Sequence, residues 1–530
     1  VNNNMPLSVD TGRGLSINYL GKNLYSKYDP SQTSIKIAHR LELYEETLYI
    51  VPSPLLLYGI REILNKLPQS SYLLGIEIDQ NLMHETINSQ IKIDNDNFKI
   101  YRLDSREQLK SAIEDLSVWK YRKCQLIPLN YGYNLYKEKY DYLYNFATVI
   151  LNTFWRNRLT INKLGRLWVK NIFNNIPLVT PERPDNHGKS IVVCGAGVSL
   201  EETTVLLKKN RDDIYIIAVD TALNSLLESE IIPDLVFALE SQFYNLGDFY
   251  NSFGKNIDLL TDITGYPAVC RALKGKVYFY ASDFFQNALL DRIETHLCLA
   301  LKIPPLGSVG VAAVHTALKL FNAPIFLTGL DFSFVPGKSH SKGTPFSNSL
   351  LRISNRFKPA GSFNISMKRN LLQKKGKVEG KRINTDSILE SYAMLLTDII
   401  SQEERVYDLT NSGYPLGAEY IDEENFCEMI KYRTSNFDGN CIPQIDPNVS
   451  NNLLKQEKYF LEALIGEWVS FVATDSEQIP DLLISALEKV DYIYLDFPDR
   501  LPHPIKEISF ISRAVTSARE YLKIVDRLIK

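Results

Sequence analysis

The residue types most suited to chemistry concentrate between Gly307 and Lys342. Gly307-Ser308-Val309-Gly310 is a turn that opens an apolar segment, with Val311, Val314, Leu318 and Phe321 at helical spacing. A glycine-serine turn at a helix start offers free backbone N–H groups to an anion. Ile325-Phe326-Leu327 then reads as a short buried parallel strand. At its carboxyl end stand Thr328, Gly329 and Asp331, followed by a polar loop with Gly337, Lys338, His340 and Lys342. An unperturbed imidazole titrates at about 6.5, so His340 suits a general base at neutral pH. His315, on the apolar helix beside Val311 and Leu318, reads instead as a buried core histidine.

A second group of such residues lies upstream. Ile191–Cys194 is a buried strand, and Gly195-Ala196-Gly197-Val198-Ser199 is a small-residue turn after it. Ser199 and Glu202 match a capping box. The glutamates at that helix start disfavour a phosphate on the terminus itself, so a base or ribose is expected against this turn. Asp220-Thr221, Glu240-Ser241 and Asp331 each follow a predicted strand of one sheet. Carboxylates converging at one rim suit a ribose, a metal or an ammonium group; the plain alternative is helix capping or solvation. From Arg352 to Arg382 the chain turns basic, including Lys368, Arg369, Lys377 and Lys381, against Glu379 alone. Such a loop beside a site suits an anionic ligand.

These residues need a frame. The pattern predicts an α/β protein: a central Rossmann-like, doubly wound domain at 188–418, a smaller α/β domain at 1–150, a helical linker at 151–187 and a mainly helical region at 419–530. In the first domain, strands are expected at 47–51 and 72–78 with a helix at 55–67 between them, and Glu77 and Asp79 read as strand-end carboxylates in solvent. No G-x-G-x-x-G follows the first strand, which speaks against a dinucleotide there. The linker carries Trp168-x-x-Asn171-x-x-Asn174, and Tyr492–Leu495 reads as a lone strand. A net charge of −3 argues against a general nucleic-acid binder. The six scattered cysteines suggest neither a zinc site nor a disulfide framework. No apolar run approaches the roughly 18 residues of a membrane span. The opening residues lack a secretion-signal core, so a cytoplasmic protein is expected.

The turn at Gly195, the run GSVGVAAVHTALKLFNAPIFLTGLDF, then GKSHSKGTP, GKRINTDSILESYAMLL and VYDLTNSG together resemble the motility-associated factor (Maf-type) flagellin glycosyltransferases. LYSKYDP near the start and the Trp168 linker extend the resemblance over nearly the whole chain. The core is in turn similar to bacterial sialyltransferases that use CMP-sialic acid. The resemblance implies transfer of a nonulosonic acid, of the pseudaminic or legionaminic type, from its CMP form to Ser or Thr of flagellin, with no metal or other cofactor required. It implies nucleotide-sugar binding by Gly195, Gly197, Ser199, Asp220, Thr221, Glu240, Gly307, Ser308, Gly310, Asp331 and Ser333. A tyrosine pair of the sialyltransferases falls at Ser333 and His340, and their catalytic histidine at Lys381. Lys381 is expected to stay charged and steady the phosphate or carboxylate, with His340 as base or proton donor. The same core also resembles hydroxymethylpterin pyrophosphokinases, which would use Asp220, Glu240 or Asp331 for magnesium and ATP; a non-catalytic flagellin-binding scaffold is the third reading.

Overall fold

The computed structural model describes residues 5–88, 91, 93–297, 299–335, 337–359, 370–432, 448–474, 477–498 and 502–529. The chain forms two compact units, Val1–Ile161 and Asn162–Lys530.

The first unit opens with a small antiparallel sheet of β1 (Leu7–Asp10), β2 (Leu15–Tyr19) and β3 (Lys22–Asn23). Strands and helices then alternate: α1 (Gln32–Arg40), β4 (Thr47–Pro52), α2 (Ile60–Leu64), β5 (Tyr72–Glu77), α3 (Gln80–Ile87), β6 (Phe98–Arg102), α4 (Arg106–Asp115), β7 (Lys123–Leu126), α5 (Gly132–Leu135) and α6 (Lys137–Asn175). The four later strands form a parallel sheet in the order β6-β5-β4-β7. β4 and β5 are buried along their whole length, as near-continuous apolar runs in a parallel sheet require. The expected helix at 55–67 begins only at Ile60. Ser53, Leu55 and Leu57 hold left-handed backbones, with φ of 49°, 45° and 62°, and right-handed helix cannot pass through them. α6 starts earlier than the predicted linker because Tyr140, Leu143, Ala147 and Leu151 give it a buried face. The boundary between the units falls within this helix.

The second unit continues with β8 (Ser190–Cys194), α7 (Leu200–Lys209), β9 (Ile214–Val219), α8 (Asp220–Glu228), β10 (Leu235–Ala238), β11 (Asp258–Asp262), β12 (Val277–Ser282), α9 (Ala288–His296), β13 (Leu301–Ile303), α10 (Val309–Leu320), β14 (Ile325–Thr328) and α11 (Pro345–Ile353). The hairpin β15 (Leu372–Lys375) and β16 (Arg382–Thr385), α12 (Ser387–Ile400), β17 (Val406–Asp408), β18 (Glu419–Tyr420), α13 (Glu423–Met429), α14 (Val449–Val472), α15 (Asp481–Glu488) and α16 (Ile508–Leu528) follow. Nine parallel strands form one sheet in the order β13-β12-β11-β10-β9-β8-β14-β17-β18. The chain steps outward from β8 to β13 on one side, then returns to lay β14, β17 and β18 on the other. The strand order therefore reverses between β8 and β14. α10, apolar almost all round, packs on β8, β9 and β10 and against α12. Tyr492–Leu495 is no strand: it lies in a tight 3-10 turn, Asp491–Asp496, which closes its own backbone bonds, Ile493 N donating to Val490 O at 3.0 Å. Among the described residues, no helix is long and apolar enough to cross a membrane.

The Trp168 motif has a structural account. Asn171 donates to the carbonyls of Ser241 and Thr264, at 3.0 and 2.8 Å, and Asn175 to those of Ile263 and Gly265, both at 2.9 Å. These are backbone oxygens just past β10 and β11 that would otherwise be buried without partners. The working pair is Asn171 and Asn175, one helical turn apart; Asn174 only bonds back to Lys170 O on its own helix. Trp168 stacks on Phe285 and donates to Ser241 Oγ at 3.1 Å.

Candidate functional site

Open α/β sheets bind ligands outside the carboxyl ends of the strands where the strand order reverses. A cleft of about 240 Å³ lies there. Its walls are the turn Gly195–Gly197 after β8, Gly329–Phe334 after β14, the start of α10 at Ser308–Gly310, and Ser339 and His340, with Val219, Thr221 and Leu389 at the margins. Glycine is required by close approach. A Cβ on Gly329 (φ 67°) would collide with the Gly195 carbonyl, and one on Gly310 would come within 2.6 Å of Leu330. Gly195 N donates to Thr328 O at 2.8 Å and Gly197 N to Gly329 O at 2.7 Å, which locks the two turns together. Phe332, in the cleft wall, holds a left-handed backbone (φ 45°), a strain of the kind that collects at functional sites.

Asp331 organises this rim. It is 6% exposed, and its carboxylate accepts from Ser199 N at 3.0 Å and from Ser199 Oγ. Ser199 Oγ accepts in turn from Gly329 N at 3.2 Å. The expected capping box is thus replaced: Ser199 sits at the N-cap of α7 without a side-chain cap bond, because the buried carboxylate is the stronger acceptor. Burial pushes the Asp331 carboxyl up, opposed by the Ser199 bonds and by the charge of Lys377. The glutamates of α7 also have partners. Glu201 pairs with Lys338 at 2.7 Å and accepts from Lys342 N at 2.5 Å, so it pins the His340 loop across the cleft.

The expected convergence of Asp220, Glu240 and Asp331 occurs only in part: the charge of Asp220 acts on Glu240, and Asp331 stands apart from both. Asp331 belongs to the cleft, whereas Asp220 begins a second group beneath its margin. Buried Asp220 accepts from Asn245 Nδ2 at 2.8 Å, Thr221 N at 2.8 Å and Thr221 Oγ1 at 3.2 Å. Asn245 also donates to Asp248 at 3.3 Å. Burial, then the neighbouring charge of Asp220, pushes the Asp248 carboxyl up to about 7. Glu240 is exposed at the rim and does not line the cleft. Among the described residues, no three His, Cys, Asp or Glu side chains are placed to hold a metal ion.

Of the other expected residues, Gly195, Gly197, Thr221, Ser308, Gly310, Asp331, Ser333 and His340 line the cleft. Ser199 acts one layer behind. Gly307 (φ 70°) is the left-handed turn residue that lets the chain enter α10, packed on the Tyr392 ring. His340 is half-buried, its ring edge-on to Phe346 and its Nδ1 3.1 Å from Ser339 Oγ. Lys381 is not at the cleft: it is exposed in the turn of the β15–β16 hairpin, its backbone N donating to Val378 O and its carbonyl accepting from Gly376 N. The most enclosed paired cation of that hairpin is Lys377, its side chain 11% exposed, which spacing along a uniformly basic run does not distinguish. Residues 360–369 of the basic stretch, including Lys368 and Arg369, lie outside the described residues, as do Cys298 and Cys441. His315 is half-buried rather than buried; burial, then Lys319, holds its imidazole below the ordinary range. Glu77 and Asp79 are not solvated carboxylates but bonded ones, Glu77 to Ser53 and Tyr140 and Asp79 to Tyr19 and Tyr136.

Over 99% of its length the chain superposes on 90% of the Maf glycosyltransferase of Magnetospirillum magneticum AMB-1, with a TM-score of 0.60 and 13% identity. The chain has the Maf glycosyltransferase fold. Residues 168–337, which carry the reversal point and most of the cleft, match the family described as 6-hydroxymethylpterin diphosphokinase MptE-like. An uncharacterized protein of Treponema pallidum (strain Nichols) is 27% identical over 99% of this chain and 95% of its own length. The fold expected from the Maf resemblance is the one observed.

Proposed function

We propose that the chain is a glycosyltransferase that moves a nonulosonic acid from its CMP-activated form to Ser or Thr hydroxyls of flagellin. The observation that carries this reading is the cleft at the strand-order reversal, with two glycine turns, the open start of α10 and His340 on one rim. The whole-chain likeness to a Maf glycosyltransferase supports it. The start of α10 offers backbone N–H groups to the departing CMP phosphate. His340 takes the proton of the attacking hydroxyl, or gives one to the leaving phosphate, and Ser339 orients its ring. No residue of this scheme needs a metal, since CMP leaves as a stabilised phosphate. The remaining surfaces, in our reading, hold the acceptor: a folded protein needs far more contact area than a sugar.

A second reading is favoured by the match at 168–337: diphosphate transfer from magnesium-ATP to a pterin alcohol. One calorimetric comparison separates the two. Binding of CMP in preference to magnesium-ATP, with a mass gain of one nonulosonate on flagellin incubated with the chain and the CMP-sugar, supports glycosyl transfer. Preference for magnesium-ATP, with no mass gain, replaces it by the pyrophosphokinase reading.

A further inference from the structure

Lys377 is the one described cation of the β15–β16 hairpin that turns inward. Its side chain is 11% exposed, and its ammonium lies 2.5 Å from Asp408 Oδ2. It also donates to Thr410 O and Thr410 Oγ1, both at 3.3 Å, so its three N–H donors meet three acceptors at the carboxyl end of β17. Asp408 Oδ1 is bonded by Thr410 N and Thr410 Oγ1, both at 3.0 Å. The main chain makes a second attachment: Lys377 N donates to Gly413 O at 3.2 Å. Gly413 lies against Asp331, where a Cβ would stand 2.7 Å from the Asp331 carbonyl oxygen, and the next residue, Tyr414, donates its N–H to that oxygen at 2.8 Å. Lys377 is therefore fastened to the segment that holds the backbone of Asp331, and its charge acts on the Asp331 carboxylate.

We infer that Lys377 is a positioning residue for the cleft: it clamps the basic hairpin to the end of β17 and supplies a cation that favours the carboxylate form of Asp331, the form that holds Ser199. An ionised carboxylate accepts from both Ser199 N and Ser199 Oγ; a protonated one loses acceptor capacity and releases part of the Gly195–Ser199 turn. The same hairpin bonds the cleft wall at two further points, Phe334 N to Asn384 O at 2.7 Å and Thr385 Oγ1 to Phe332 O at 2.8 Å. Other titratable groups on the elements packed around Asp331 include Asp408 from β17, Glu201 and Glu202 from α7, and Lys338 and His340 from the facing loop. Glu201 and Lys338 neutralise each other, and Ser412 donates to Glu202 at 3.2 Å. Asp408 opposes the action of Lys377 on Asp331. Removing Lys377 leaves the charge of Asp408 on Asp331 without that opposition.

The choice of CMP as probe rests on the proposed glycosyl transfer; the titration of Asp331 does not. Full-length protein labelled with ¹³C-aspartate is titrated by NMR, with Asp331 assigned through Asp331→Asn, while CMP affinity is followed by calorimetry across the same pH range. In Lys377→Met the Asp331 midpoint is expected to rise by about one unit or more, and the acid limb of CMP binding to move up with it, about a tenfold loss of affinity on that limb. Asp408→Asn, which keeps the side-chain shape and frees Lys377 for Asp331, is expected to move the midpoint down. The double variant should fall between them. A pure anchor would weaken the protein without moving the midpoint, so an unshifted Asp331 in folded Lys377→Met overturns the inference. If Lys377→Met fails to fold, an unchanged or raised midpoint in Asp408→Asn overturns it equally. Absent CMP binding by the unaltered protein counts against the glycosyl-transfer reading, and the midpoints still judge Lys377.

Discussion

Both units carry a parallel sheet whose strand order reverses next to its first strand, yet the two rims differ in what they place there. In the first unit the reversal lies between β4 and β7. Asn130, just after β7, donates to Ser53 O at 2.7 Å and to Tyr25 Oη at 3.2 Å, and a Cβ on Gly132 would press into Ser53. One strand over, Glu77 is fully buried and accepts from Ser53 Oγ, Tyr140 Oη and the N–H groups of Ile78 and Asp79, at 2.8 to 3.0 Å. Asp79 caps α3 and accepts from Tyr136 and Tyr19 at 2.6 and 3.0 Å; those hydroxyls and the cap bonds outweigh burial and hold its carboxyl below the ordinary range. The side chains of this rim are bonded to one another and to its backbone. At β8 and β14 of the second unit, glycines and one buried aspartate leave the cleft open. The same topology thus puts glycine turns at one rim and a network of bonded side chains at the other, so side-chain volume at a few strand-end positions sets what each rim offers.

The comparison can be tested by damaging each rim in turn. The largest effect is expected for His340→Ala: turnover on the CMP-sugar falls by roughly 10²–10⁴, the usual worth of a general acid–base group, while CMP affinity stays nearly unchanged. Equal loss of affinity would make His340 a binding residue instead.

Gly329→Ala should cost roughly 3 kcal/mol in urea unfolding of the second unit and abolish CMP binding, because the new methyl has no space between the turns and a left-handed backbone to adopt. Gly12→Ala in the first unit, also at positive φ (76°) but facing open space, should cost about 1 kcal/mol and leave binding intact.

Glu77→Ala leaves two N–H groups and two hydroxyls without their acceptor, and should cost roughly 3 kcal/mol without changing CMP affinity. Glu77→Gln keeps an acceptor for the N–H groups and stays within about 1 kcal/mol. Burial raises the Glu77 carboxyl. The folded state therefore holds a proton that the unfolded state has released, and stability falls as pH rises from the ordinary glutamate range through the raised value. Thermal unfolding against pH should show this slope in the unaltered chain and lose it in Glu77→Gln.

The smallest effect is expected at Asp248. With its carboxyl raised to about 7 from 3.8, the stability it contributes is present at low pH and lost as pH climbs between those values. Asp248→Asn removes that loss. After discounting for its partial exposure, about 1 kcal/mol of stabilisation at pH 8 is expected, falling to nothing near pH 4.

Much of the second rim was legible from residue order alone. Gly195, Gly197, Ser308, Gly310 and Asp331 stand next to strongly apolar strand and helix patterns, and such local patterns survive folding because burying them drives it. Three assignments depended on contacts between residues distant in the chain. Ser199 reads as the cap of its own helix, but Asp331, 132 residues on, takes its hydroxyl. Lys381 and Lys377 are alike in sequence; only the packing of the hairpin on Asp408 turns one inward and leaves the other in water. Glu77 reads as a solvated strand end until Ser53 and Tyr140 close over it. Sequence by itself determined where most strands, turns and apolar helices of the second sheet lie, because those follow from local periodicity and turn chemistry. Tertiary structure decided which carboxylates and cations are desolvated and paired, because that energy belongs to pairs of groups brought together only when the sheet order reverses and distant turns meet.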